Sequence, residues 1–179
     1  MSAARSKWRR SRRFFDGPRE PNVIAIRPAW ISFGGTAAIV TSMGLILGLD
    51  AAASSAQSIV SALLIVALAD NLSDSLSVHV YQEAEKLESR EAFRSTLANF
   101  VTRLLVASSF VVLVIALPRD LLATATVAWG FLLLGLLTFR IARARGARVD
   151  KEIAKHVVIA AIVLVISRWL GTWIAESFG

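Results

Sequence analysis

The sequence predicts an all-α integral membrane protein with five transmembrane helices, its amino terminus in the cytoplasm and its carboxyl terminus on the far side. Three observations lead there. Hydrophobic residues make up 55% of the 179 positions and charged residues only 18%, with a mean hydropathy of +0.60; an average soluble domain carries about 25% charged residues. The apolar residues gather into five stretches, each close to the length needed to cross a hydrocarbon core of about 30 Å. The basic residues lie between the stretches and alternate in space: eight of the 20 Lys and Arg fall in the first 29 residues, three between the second and third stretches and six between the fourth and fifth. Seventeen of 20 thus belong on one side, which the positive-inside rule makes the cytoplasm.

Residues 1–29 form a basic cytoplasmic arm, with Arg5, Lys7, Arg9, Arg10, Arg12, Arg13, Arg19 and Arg27 against Asp16 and Glu20. Ser11-Arg12-Arg13-Phe14-Phe15 looks like part of a twin-arginine export signal, but the apolar stretch that follows lacks a small-residue cleavage site and is the first of five, so the arginines read as a topology signal. Trp8, Phe14 and Phe15 suit a short helix on anionic headgroups; a disordered arm tethered at the membrane fits equally well. The net charge of +7 has no nucleic-acid-binding motif beside it, so no nucleic-acid partner is expected. The chain has no cysteine, which removes disulfides and thiolate ligands.

Residues 30–179 form the membrane domain, with spans at about 30–49, 57–80, 100–117, 121–139 and 153–174. The first opens on Trp30, an interfacial anchor, and contains no charge. Its small residues Gly34, Ala38, Thr41, Gly44 and Gly48 make a low strip along which another helix can approach closely, here read as the contact of a homodimer. Met43 reads as a core residue rather than a ligand. In the second span the uninterrupted apolar part, Ile59 to Ala69, is too short to cross alone, so the polar run after it lies inside the membrane or at its cytoplasmic edge. The helix is expected to continue through the charged segment Tyr81 to Asn99, whose glutamates Glu83, Glu85, Glu88 and Glu91 read as a solvated face. Pro118-Arg119-Asp120 is a tight connection that makes spans three and four a helical hairpin. The last span carries Arg168 and ends Trp169-Leu170-Gly171-Thr172-Trp173.

The chemistry concentrates in the second span, in Asp70-Asn71-Leu72-Ser73-Asp74-Ser75-Leu76-Ser77-Val78-His79. A charge deep in a bilayer costs at least about 2.5–3.5 kcal/mol, so such groups face a packed interior or a wet path. Asp70 and Asp74 are one turn apart on one helix face, and Ser77 continues that face. Carboxylates, hydroxyls and an amide are hard oxygen ligands suited to manganese, magnesium or ferrous iron. Two like charges so close repel in a low dielectric, a property that proton-coupled cation exchange uses. Asp70, Asn71, Asp74, Ser77 and His79 are therefore the candidate metal ligands. The competing reading is an ion pair: Arg103, one turn inside span three, should lie at the depth of Asp74, and such a pair would satisfy both charges and transport nothing. His79 also reads as an interfacial histidine, and His156, beside Lys155, as a surface residue. Nothing has the spacing of a nucleophile–base pair, a phosphate loop or a catalytic zinc site, so neither an enzyme nor a permanently bound cofactor is expected.

The run Phe33-Gly34-Gly35-Thr36-Ala37-Ala38-Ile39-Val40-Thr41-Ser42-Met43-Gly44-Leu45-Ile46-Leu47-Gly48 resembles, without gaps, the first-span signature of the vacuolar iron transporter family, approximately F-G-x-x-D-G-L-V-S-T-x-S-L-V-L-G. Ala67 to Glu85 is similar to that family's second-span A-L-S-M-A-x-G-E-Y-V-S-V-x-S-Q-x-D-A-E, and Ile166-Ser167-Arg168-Trp169-Leu170-Gly171 to its last span. The resemblance runs from about Trp30 to the end. It implies a dimeric five-helix membrane protein that moves ferrous iron or manganese out of the cytoplasm, commonly in exchange for protons, with the divalent cation as substrate. By position, the family's second-span glutamate falls on Asp74, its second-span methionine on Asp70 and its first-span Asp-Gly on Ala37-Ala38. The segment Tyr81 to Asn99 is too short for the cytoplasmic metal-binding domain that many members insert there. The alternative is a relative that has lost transport and serves as a membrane scaffold or regulatory subunit. A bacterial member would be a multi-pass protein of the cell inner membrane.

Overall fold

The computed structural model describes residues 28–84 and 89–178, so the expectations for the arm up to Arg27 lie outside the described residues. Five α-helices follow: α1 (Pro28–Ala51), α2 (Ala56–Ala84), α3 (Ser89–Ala116), α4 (Arg119–Ala144) and α5 (Val149–Phe178). All five are long and apolar enough to cross a membrane. Even the shortest apolar window, the 18 residues Gly34–Ala51, is about 27 Å long at 1.5 Å per residue. The protein is therefore all-helical, with the build of a multi-pass membrane protein. The large apolar side chains left exposed, among them Ile65, Leu72, Leu105, Ile115, Leu132 and Val165, are the residues that meet lipid in such a protein.

The helices pack around α1, half of whose apolar window is buried against 17–28% for the others. Its Ile39, Met43 and Ile46 are fully enclosed and meet Ile59 of α2, Phe110 of α3 and Leu134 of α4 in one core. The buried residues of α4, Leu122, Thr126, Gly130, Leu134, Thr138 and Ala142, recur every four positions, the spacing of a single ridge. Gly130 leaves the space that the Met43 side chain fills. α3 and α4 are joined by only Leu117 and Pro118, and the indole nitrogen of Trp129 donates across the hairpin to Ser109 Oγ at 3.1 Å. Arg119 and Asp120, expected in the connection, are instead the first residues of α4, and Arg119 Nε donates to Asp50 Oδ1 at 3.2 Å, tying the end of α1 to the start of α4. Just past the end of α4, Gly146, with a φ of +64°, lets the Ala147 N–H turn back to the Ala142 carbonyl at 2.9 Å.

Two findings bear on the sequence expectations. The small-residue strip of α1, expected at a homodimer contact, meets α5 and α3 of the same chain. Gly44 and Gly48 stand against Ser167 of α5, Gly171 of α5 meets the Gly48 carbonyl, and Gly34 faces Asn99 and Arg103 of α3. A strip of small residues specifies close approach, and α5 is the nearest helix able to make it, since it runs parallel to α1 with Gly44–Ser167 and Gly48–Gly171 in register. The second finding corrects the course of the charged segment Tyr81 to Asn99. α2 ends at Ala84, and residues 89 onward belong to α3, so most of that segment extends the third span rather than the second.

Because the Gly48 backbone cannot move aside for a side chain at residue 171, Gly171→Ala should force α5 away from α1 and cost about 1–3 kcal/mol. Gly135 has open space around its Cβ position, so Gly135→Ala should leave stability unchanged or raise it by up to about 1 kcal/mol. Thermal unfolding in detergent compares the two; equal effects would contradict the α1–α5 packing.

Candidate intramembrane charge cluster

The polar run of α2 stays helical because a helix satisfies its own backbone in lipid and its short hydroxyls can bond back to the preceding turn. Ser77 Oγ donates to the Ser73 carbonyl at 2.9 Å; on α3, Thr102 Oγ1 donates to the Ala98 carbonyl at 2.7 Å. The run then presents two polar faces. One carries Asp70 and Asp74, one turn apart. The other, about 100° further round, carries Asn71 and Ser75.

Arg103 of α3 lies between the two aspartates. Its Nη1 donates to Asp74 Oδ2, and its Nη2 is 3.7 Å from Asp70 Oδ2. The guanidinium side chain is 6% exposed, whereas Asp70 and Asp74 are 47% and 38% exposed; the cation is thus enclosed and the anions are half-open. The Arg103–Asp74 pair expected from their common depth is present, and Asp70 joins it. Two carboxylates facing one guanidinium leave the trio one formal negative charge in excess. Beside it, a cavity of about 20 Å³ lies between Thr41 and Ser42 of α1, Ala67 and Asp70 of α2, and Arg103 and Ala107 of α3. That is room for one water molecule with polar partners on several sides.

Asn71, placed among the ligands by sequence, is wholly buried and turns to α3, where its Nδ2 donates to the Phe100 carbonyl at 3.3 Å. Its Oδ1 is one of several buried polar atoms without a partner among the described residues, together with Ser75 Oγ, Thr96 Oγ1 and both amide atoms of Asn99. All belong to α2 and α3, and Asn99 lies against Gly34 of α1. An unpartnered buried polar group costs about 1–3 kcal/mol, so this seam is a place where ordered water is favoured. Ser77 is exposed and engaged with its own helix. His79 belongs to α2, but its side chain lies outside the described ones.

Of the five candidate ligands, then, Asp70 and Asp74 converge and Asn71 and Ser77 point elsewhere. Among the described residues no group of three His, Asp or Glu side chains is close enough to hold a metal ion. One participant, Asn99, was missed in the sequence, and so was the role of Gly34 beside it. Asn99 fills the space above Gly34, and the stem of Arg103 passes 3.0 Å from where a Gly34 Cβ would stand; Gly34 is what lets both side chains lie against α1. The pairing of an asparagine with a glycine two helices away has no local signature. No family model, characterised protein or solved structure matches the chain, so the iron-transporter resemblance rests on the quoted residues alone.

Replacing both aspartates should strand the enclosed guanidinium. Breaking a fully buried pair costs about 3–5 kcal/mol; the half-open carboxylates bring the expected loss below that. Asp70→Asn with Asp74→Asn should therefore melt at lower temperature in detergent than the parent, and adding Arg103→Gln should restore most of the loss. A triple variant no more stable than the double one would show that the ion pairs do not support the fold.

Proposed function

We propose that the protein is a membrane transporter that moves a divalent transition-metal cation, ferrous iron or manganese, out of the cytoplasm, with Asp70 and Asp74 as the carboxylates of its path. The observation that carries this reading is the imbalance of the cluster: two half-open carboxylates within a span face one enclosed guanidinium. An uncompensated negative charge is costly at that depth, and a cation or proton entering from the open side relieves the cost. Arg103 then acts as a tethered competitor. It holds the carboxylates while no cation is present and yields Asp74 when one arrives. The hard oxygen donors and the family resemblance point to iron or manganese as cargo, and the small cavity beside Asp70 provides a wet neighbour for exchange.

A second reading has its own support. Arg103 reaches both carboxylates, Ala37 stands where the resembling family has an aspartate, and a third ligand is lacking among the described side chains. These favour a transport-inactive relative that serves as a membrane scaffold or regulatory subunit. Manganese uptake into vesicles of purified protein separates the readings. For a transporter, the parent should load the vesicles, and Asp74→Asn should reduce the rate at least tenfold while the protein elutes and melts as a folded species. Vesicles of the parent that load no faster than empty ones, for manganese and ferrous iron alike, would leave the scaffold reading standing.

The orientation proposed with this function is amino terminus inside and carboxyl terminus outside. It is supported by the seventeen basic residues on one side and by α1 and α5 running parallel, as the first and last helices of an odd number must. A reporter active only outside the cytoplasm should work when fused after Gly179 and fail when fused before Ser2. The opposite pattern would reverse the direction of transport.

A further inference from the structure

The far end of the molecule from the charge cluster carries a feature that transport does not use. An open groove of about 480 Å³ runs between α1, α4 and α5, walled by Leu47, Ala123, Val127, Ala128, Leu164 and Val165, with Thr124 and Arg168 as its polar members. The small side chains Ala123 and Ala128 make the hollow. Arg168 is exposed, and among the described residues its guanidinium has neither an ion pair nor a hydrogen-bond acceptor. Of the carboxylates at this end, Asp50 holds Arg119, Glu176 lies two turns further along α5, and the exposed Asp120 stands in the first turn of α4, one turn beyond Thr124, with no ion pair to Arg168 among the described residues.

The depth of Arg168 is set by its neighbours. Ser167 packs on Gly44 and Gly48, and Gly171 packs at the level of Ala51, where α1 ends. Arg168 is therefore about one turn, roughly 5 Å, below that end, within reach of the interface for a side chain of its length. Trp169 and Trp173, both exposed beside it, are residues typical of the headgroup level. A guanidinium at this level is paired best by a phosphate, which its planar fork matches with two parallel hydrogen bonds. The apolar groove leads from it toward the bilayer interior.

We infer that the α1–α4–α5 groove is a binding site for an anionic phospholipid of the leaflet at the Ala51 end, its phosphate on Arg168 and one acyl chain along Ala123, Val127 and Ala128. The site joins a charge that lacks a partner among the described residues to an apolar channel, and a phospholipid supplies both complements in one molecule. It is independent of any transport activity.

The test is binding of phosphatidylglycerol to the delipidated protein in detergent, read by native mass spectrometry and by melting temperature. Diacylglycerol and inorganic phosphate serve as half-ligands. Phosphatidylglycerol should be retained one per chain and raise the melting temperature, whereas neither half-ligand should do so at the same concentration. Arg168→Gln should weaken retention at least tenfold yet leave the lipid-free melting temperature unchanged, since the guanidinium has no ion pair or hydrogen bond to lose among the described residues. Arg168→Lys should retain part of the affinity. Ala128→Phe, which fills the groove and leaves the arginine in place, should also abolish retention. Equal retention by Arg168→Gln, diacylglycerol binding as tightly as phosphatidylglycerol, or a change of oligomeric state on Ala128→Phe, which would mark the groove as a contact between copies, would each overturn the proposal.

Discussion

In a bilayer the hydrophobic effect does not draw helices together, because lipid tails are as apolar as leucine; association depends on close contact and on polar groups that find partners. The close contact here is made by α1. Where Gly44, Gly48 and Gly171 remove side chains, α5 approaches α1 until a backbone carbonyl meets the α-carbon of its neighbour. Gly130 accommodates Met43 from the α4 side, and Gly34 accommodates α3. A central helix with larger residues at these positions could not be surrounded at this distance.

The charge cluster depends on the same property. Arg103 can lie enclosed between α1, α2 and α3 only because Gly34 leaves room for its stem and for Asn99. The guanidinium then takes two aspartates from α2, a helix that otherwise touches the bundle along one side. The outcome is asymmetric. The cation is enclosed, the anions are half-open, and the seam behind them holds several polar atoms with no partner among the described residues. A purely structural ion pair is most stable when charges balance and every lone pair is used. This cluster meets neither condition, which is why it is the candidate site as well as part of the fold.

The two ends of the bundle carry unlike chemistry. Toward one end, the intramembrane cluster sets two aspartates against the single guanidinium of Arg103, which clamps them from inside. At the other, Asp50 and Arg119 neutralise each other across the α1 and α4 ends, and Arg168 remains as a cation beside an apolar groove. The first arrangement suits a mobile positive charge. The second suits a fixed negative one.

The five spans and their apolar faces were legible in the sequence because hydropathy over about 20 residues is a local property, and the lack of water in the membrane makes it nearly sufficient. The shared face of Asp70 and Asp74 followed from helical spacing, and the pairing with Arg103 followed from equal depth, which residue counting gives. What the chain order could not supply was the identity of neighbours. Gly44 and Gly48 announce a close contact equally well whether the partner is α5 or a second copy, and only the packed bundle assigns them to α5. Asn71 carried ligand chemistry in the sequence, but a rotation of about 100° from Asp70 on the same helix turns it to the Phe100 carbonyl. The start of α3 at Ser89 and the role of Asn99 above Gly34 were equally hidden. Each depends on contacts between residues far apart in the chain, which helical periodicity does not encode.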